Sequence, residues 1–219
     1  MTNADAEIQE AVVRELKWDT RIIDHNLRVS VDTGVVTLTG MVNSYGERVI
    51  AQDLAHAVAG VLDVANDIRV VVPVNLRRSD TELAHEVRLA LEWDAALPAT
   101  QIRSTAANGE VTLEGEVESL AQRDDAERAV HHLNGVRIVT NKLAIVPVAS
   151  LREEVERSLE SVLAERAHDD LKSFKLQVAN GRVNLSGTVR SWMERQALID
   201  AARRTRGVCS VEANLGIES

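Results

Sequence analysis

Three serines recur at matching places in this chain, each with a carboxylate or amide side chain three residues on: Ser44 with Glu47, Ser119 with Gln122 and Ser191 with Glu194. A serine becomes a nucleophile when a neighbouring base takes its proton, and that base is usually a histidine held by a third group. The six histidines (His25, His56, His85, His131, His132, His168) do not recur beside all three serines. The spacing has another physical meaning. At a helix start the hydroxyl accepts from the amide three residues on while that residue's side chain reaches back, so two orphan amides are satisfied together. The serines are therefore expected to be helix caps.

Metal and phosphate chemistry find little support in the sequence. No histidine pair has the i, i+4 spacing with carboxylate support of a helical metal site, and the single cysteine, Cys209, offers neither a cluster nor an intrachain disulfide. GVVTLTG reads as the interior of a strand, whereas a phosphate loop joins a strand to a helix. No metal, no cofactor and no catalytic residue is expected. His131-His132 falls near a helix C-terminus, where a cationic imidazole suits the dipole. Asp124-Asp125 and Asp169-Asp170 are expected to be solvated faces.

One aromatic and basic constellation remains. Trp192 stands among Arg190 and Arg195, and Arg203, Arg204 and Arg206 follow on the same helical stretch. An indole beside arginines suits a lipid headgroup layer, where each basic residue near an anionic surface contributes about 1 kcal/mol. Two structural readings compete with it. Trp192 can plug the edge of its domain, as Tyr45 and Leu120 do at the equivalent positions, and the arginines can simply favour a helix C-terminus. Nucleic acid is not an expected partner: the net charge is −9, no basic Gly-x-x-Gly loop is visible, and aromatics are only 2% of the chain.

The elements that must position these residues come in triplicate. GVVTLTGMV (34–42), GEVTLEGEV (109–117) and GRVNLSGTV (181–189) are offset by 75 and 72 residues. At the same offsets lie Arg48, Arg123 and Arg195, the glycines Gly60, Gly135 and Gly207, and the apolar rows starting at Ile8, Leu83 and Val155. Similarity at fixed offset over so many positions is an internal repeat. Within each unit, apolar residues four apart (Ile8, Val12, Leu16) predict a helix, and the alternation Leu27, Val29, Val31 predicts a half-buried strand. A turn (Asp32-Thr33-Gly34, Asn108-Gly109, Asn180-Gly181) leads into the quoted phrase as a second strand. A capped helix ending at the C′ glycine and a third strand complete the unit. Gly40, Gly115 and Gly187 stand on the inward face, where a missing side chain admits close approach of another backbone; seating the following helix is the expected use, a ligand the alternative.

The fold class is thus α+β: three tandem αββαβ domains over residues 1–75, 76–148 and 149–219, each a three-stranded mixed sheet with two helices on one face. The linkers, Pro73–Asp80 and Pro147–Ser150, are short enough that neighbours should touch. With αββαβ order, the G-x-V-x-L-x-G-x-V strand, the Ser-x-x-x-Arg after it and the ending G-V-x-x-V-x-N (Gly60 to Asn66, Gly135 to Asn141), the chain resembles the BON domain family. The third copy departs, with Ala213 at the aligned position, expected in a turn into the last strand. The resemblance implies a non-catalytic binding module, linked in the family to stress tolerance and to attachment to phospholipid membranes. It brings no catalytic motif.

Charge and surface differ where the core pattern does not. Basic against acidic residues number 6 and 11, 8 and 12, and 11 and 11 over the three units, so the third is neutral and the others acidic. The outward side of the second strand reads Val35, Thr37, Thr39, Met41 in the first unit but is polar in the others. This face is an expected interface, a route to a homo-oligomer through domain 1. Trp18 and Trp93, each followed by Asp, are expected to pack at seams between repeats. No secretory signal is visible at MTNADAEIQEAVVREL, so the expectation is a cytoplasmic protein, peripheral at the inner membrane if it meets lipid. The expected partners are anionic phospholipid or another protein. The alternative function is a small-ion or metabolite sensor whose ligand tightens the packing between domains.

Overall fold

The computed structural model describes residues 3–22, 27–148, 151–165 and 174–217. His25, His168 and Asp169-Asp170 lie outside the described residues, as do the side chains of Leu163 and Glu165.

The first repeat runs α1 (Asn3–Trp18), β1 (Arg28–Asp32), β2 (Val35–Val42), α2 (Tyr45–Ala57) and β3 (Asp63–Val70). The strands lie in the order β1-β2-β3. β1 pairs antiparallel with β2 through the two-residue turn, whereas β3 returns parallel to β2, with Val36 opposite Val64 and Gly40 opposite Ile68. A parallel return needs a crossover, and α2 supplies it. Val36, Leu38 and Val42 point inward and are buried against Val12 and Leu16 of α1 and Ala51 and Ala55 of α2.

The second repeat repeats the order as α3 (Asp80–Trp93), β4 (Ile102–Ala107), β5 (Glu110–Val117), α4 (Leu120–His131) and β6 (Ile138–Ile145). The third does so as α5 (Leu151–Glu165), β7 (Phe174–Ala179), β8 (Arg182–Val189), α6 (Trp192–Arg204) and β9 (Ser210–Ile217). Their sheets follow the orders β4-β5-β6 and β7-β8-β9. The third core gathers Val155, Leu159, Val183, Leu185, Leu198 and Val208. By compactness the chain divides into two units, residues 1–90 with 104–112 and 129–140, and residues 91–103 with 113–128 and 141–219. The first contains the whole first repeat, the second the whole third.

Turn chemistry sets the hairpin register. Thr33 and Gly34 both take positive φ (51° and 79°), as do Asn108-Gly109 and Asn180-Gly181. That is the backbone whose twist matches a β-hairpin. An aspartate at the start of the first helix pins the turn from outside the sheet: the Gly34 amide donates to Asp5 Oδ1 at 3.2 Å and the Gly109 amide to Asp80 Oδ1 at 3.3 Å. The recurrence of Asp5 and Asp80 at the 75-residue offset was the sequence signal for this pin; the third repeat has Arg152 there.

Two expectations about the shared residues are corrected. Of the inward glycines, Gly115 does not make room for the following helix. Gly115 takes φ +129°, and a Cβ there would lie 2.1 Å from the carbonyl oxygen of Gln101 and 3.3 Å from Ile102 Cα, so the backbone entering the first strand makes the approach. Ala213 lies within β9 opposite Leu185, not in a turn. At the matching places the Asn66 amide donates to Arg48 O (3.1 Å) and the Asn141 amide to Arg123 O (2.8 Å), tying strand to helix. Arg48 Nη2 returns a bond to Asn66 O, and Arg195 Nη2 keeps its counterpart to Ala213 O. Alanine therefore forfeits only the side-chain half of the tie.

Candidate interaction surfaces

The serines act as caps. The amides of Glu47, Gln122 and Glu194 donate to Ser44, Ser119 and Ser191 Oγ at 3.2, 3.3 and 3.1 Å. The reciprocal bond reaches one residue further back than the usual capping box: Gln122 and Glu194 accept from the amides of Glu118 and Arg190. Ser79 and Glu82 form a further box at the start of α3, which the Ser-x-x-Glu spacing encoded as well.

Each second helix has two ends that matter. Its shoulder is the cap and first turn; its heel is the last turn and the glycine after it. In the first unit the shoulder of α2 meets the heel of α4. Gly46 is buried, and a Cβ on it would meet His132 Nδ1 at 3.3 Å and His131 O at 3.4 Å. His131 and His132 bond to each other through their ring nitrogens at 2.8 Å, so one donates and the other accepts. In the second unit the shoulder of α4 meets the heel of α6. Arg203 pairs with Asp124, Arg206 with Glu118 at 2.8 Å, and the Gly207 amide donates to Glu118 O at 2.7 Å. Both contacts use the same heel position: Arg203 is the counterpart of His131 at the 72-residue offset.

This arrangement engages two of the arginines that the sequence groups with Trp192. Arg203 and Arg206 are taken by carboxylates of the second repeat, and Asp124 and Asp125 (paired with Arg128) are not merely solvated. Arg195 serves its own repeat. Trp192 lies at the opposite end of α6 from Arg203, Arg204 and Arg206, about 18 Å away at the helical rise. Trp192 is not a plug like Tyr45 and Leu120, which are half-buried; it is 62% exposed, and Met193 beside it 66%. Glu118 and Asp124 went unrecognised because their role depends on which ends meet.

On the first repeat, Val35 and Met41 are exposed and Thr37 and Thr39 half-buried, an uncovered face. Trp18 and Trp93, expected at seams, are 80% and 86% exposed, so their indole N–H groups need no protein partner. The Asp after Trp18 is held by its neighbour: the Arg21 side chain bonds Asp19 at 2.6 Å, and this bond, reinforced by the Arg21 amide, holds the carboxyl down at about 2. A cleft of about 620 Å³ in the first unit is lined by Arg77, Arg78, Asp80, Asn108, Gly109 and Arg137. Among the described residues no group of three His, Cys, Asp or Glu is placed to hold a metal ion, and no helix is long and apolar enough to cross a membrane.

The fold and its pattern place the chain in a class. The BON domain matches it three times, over residues 4–72, 79–147 and 152–218, and the chain belongs to the BON domain family. It is similar to osmotically-inducible protein Y of Escherichia coli (strain K12), with 31% identity over 137 residues, 58% of this chain and 68% of that protein. Among solved structures it is similar at a TM-score of 0.25 and 14% identity to CdsD, a structural protein of the type III secretion system of Chlamydia trachomatis, over 97% of this chain and 92% of that one. The PrgH periplasmic domain matches at a TM-score of 0.22 and 10% identity, over 89% and 96%.

Proposed function

We infer that this is a non-catalytic, osmotic-stress-associated binding and scaffold protein that works through its exterior. One observation carries the reading: the serine repeated in all three units, and the repeated arginine in the first and third, are spent internally. The capping serines bond their own helices, and Arg48 and Arg195 bond carbonyls of their own third strands. What differs between the repeats, the helix ends without such a contact and the outer sheet faces, is left for recognition. The similarity to an osmotically-inducible protein supports the stress link. In the bacterium that carries the gene, the protein's level should rise severalfold after a hyperosmotic shift, and a deletion strain should recover more slowly until the chain is restored. An unchanged level together with equal recovery refutes the reading.

Attachment to anionic phospholipid through the third repeat is a finer form of it. The exposed Trp192 and Arg204 support it; the loss of Arg203 and Arg206 to ion pairs weighs against it. A second reading, sensing of a small ion, rests on the cleft lined by Arg77, Arg78 and Arg137, in which Arg78 is paired with Glu86 and Asp80 shares the wall. Inorganic phosphate held there should raise the melting midpoint with concentration, and a flat midpoint dismisses it.

A further inference from the structure

The two shoulder-to-heel contacts use up all but two of the six ends. The shoulder of α2 is covered by the heel of α4, and the shoulder of α4 by the heel of α6. Among the described residues, the ends without such a contact are the shoulder of the third repeat and the heel of the first. Burial follows this division at four sets of matched positions, while Ala57, His132 and Arg204, like Ala59, Asn134 and Arg206, are exposed in every repeat. At the shoulder, Gly46 is buried and Ala121 half-buried, but Met193 is exposed; Ser44 and Ser119 are covered, but Ser191 is exposed. At the heel, His131 is buried and Arg203 half-buried, but His56 is exposed; Gly207 is buried and Gly135 half-buried, but Gly60 is exposed.

We propose that these two free ends bind each other between molecules, the α6 shoulder of one copy docking on the α2 heel of the next. The contact would continue a surface pairing that the chain already makes twice within itself. The side chains fit the assignment. The free shoulder presents two large apolar groups, Trp192 and Met193, and the free heel presents small ones, Ala57, Ala59 and Gly60, with Leu62 exposed beside them. No like charges meet at the equivalent positions: Arg190 replaces Glu118 where Ala59 replaces Arg206, and Gln196 replaces Asp124 where His56 replaces Arg203. The two surfaces differ, so the contact is heterologous and each added copy leaves one shoulder and one heel open.

Sedimentation of the full chain over a range of concentrations tests this. The weight-average mass should rise steadily above the 24.0 kDa of one chain. Trp192→Glu and Ala59→Glu should each weaken self-association at least about tenfold, a central aromatic anchor being worth that much or more. The decisive arm mixes the two variants. Each keeps the one end that the other lacks, so an equal mixture should form a dimer and stop there. Both sites are exposed; circular dichroism checks the fold, and Trp192→Ala with Ala57→Arg serve as a second pair. Wild type that stays monomeric overturns the proposal, as does a mixture that stays monomeric. Loss of assembly in Val35→Lys/Met41→Lys but not in Trp192→Glu would move the interface to the first sheet face and refute it. A monomer that floats with vesicles of anionic phospholipid through Trp192 would assign the shoulder to lipid and refute it too.

Discussion

Replacing Gly115 by alanine tests the reason the second glycine of the repeated phrase is kept. The substitution meets two obstacles. At φ +129° an L-residue is strained, and such outliers cost about 1–3 kcal/mol. The new Cβ would also sit 2.1 Å from Gln101 O, where a shift of main chain is the only relief. Overpacking of this kind costs about 1–3 kcal/mol more, for a total near 4 kcal/mol. For a chain of this size, about 2–4 °C of melting temperature is lost per kcal/mol, so the midpoint should fall by roughly 8–16 °C. Gly216→Ala is the control. Its Cβ would meet nothing nearer than 3.8 Å, and the change should stay within about 0.5 kcal/mol. Thermal and urea unfolding followed by circular dichroism read both. A drop of less than about 2 °C for Gly115→Ala, no larger than that for Gly216→Ala, would refute the steric account and restore the ligand reading of this glycine.

Thr33→Asn should stabilise the chain by about 0.5–1 kcal/mol in urea, because a β-branched residue there sits at φ 51° where the other repeats use asparagine. Ser119→Ala should cost about 1 kcal/mol by the same assay, through loss of the buried cap of α4. A double-mutant cycle on Arg203 and Asp124, each a little over a third exposed, should return a coupling of no more than about 1 kcal/mol. Asp19 titrated by NMR should show a midpoint near 2, returning toward 3.8 in Arg21→Ala. Since the folded carboxyl is depressed, the Arg21 contact contributes above pH 3.8 and is lost as pH falls through about 2.

Much of this protein is local and so was legible from the chain alone. Helix faces, the positive-φ turns, the serine caps and the mixed three-stranded unit follow from residue spacing within some seventy positions, and fixed offsets of 75 and 72 reveal the rest by repetition. The family follows from the same pattern. Tertiary structure decided what depends on residues far apart meeting. The carbonyl of Gln101 lies against Gly115, the strand order places the phrase at the sheet centre, and Arg203 and Arg206 find Asp124 and Glu118 some 79 and 88 residues away. The physical reason is that an arginine's sequence neighbours do not reveal its partner. Burial and charge pairing are properties of surfaces, and only the packing of one repeat's shoulder on the next one's heel shows which ends are covered and which, at Trp192 and Gly60, are left open.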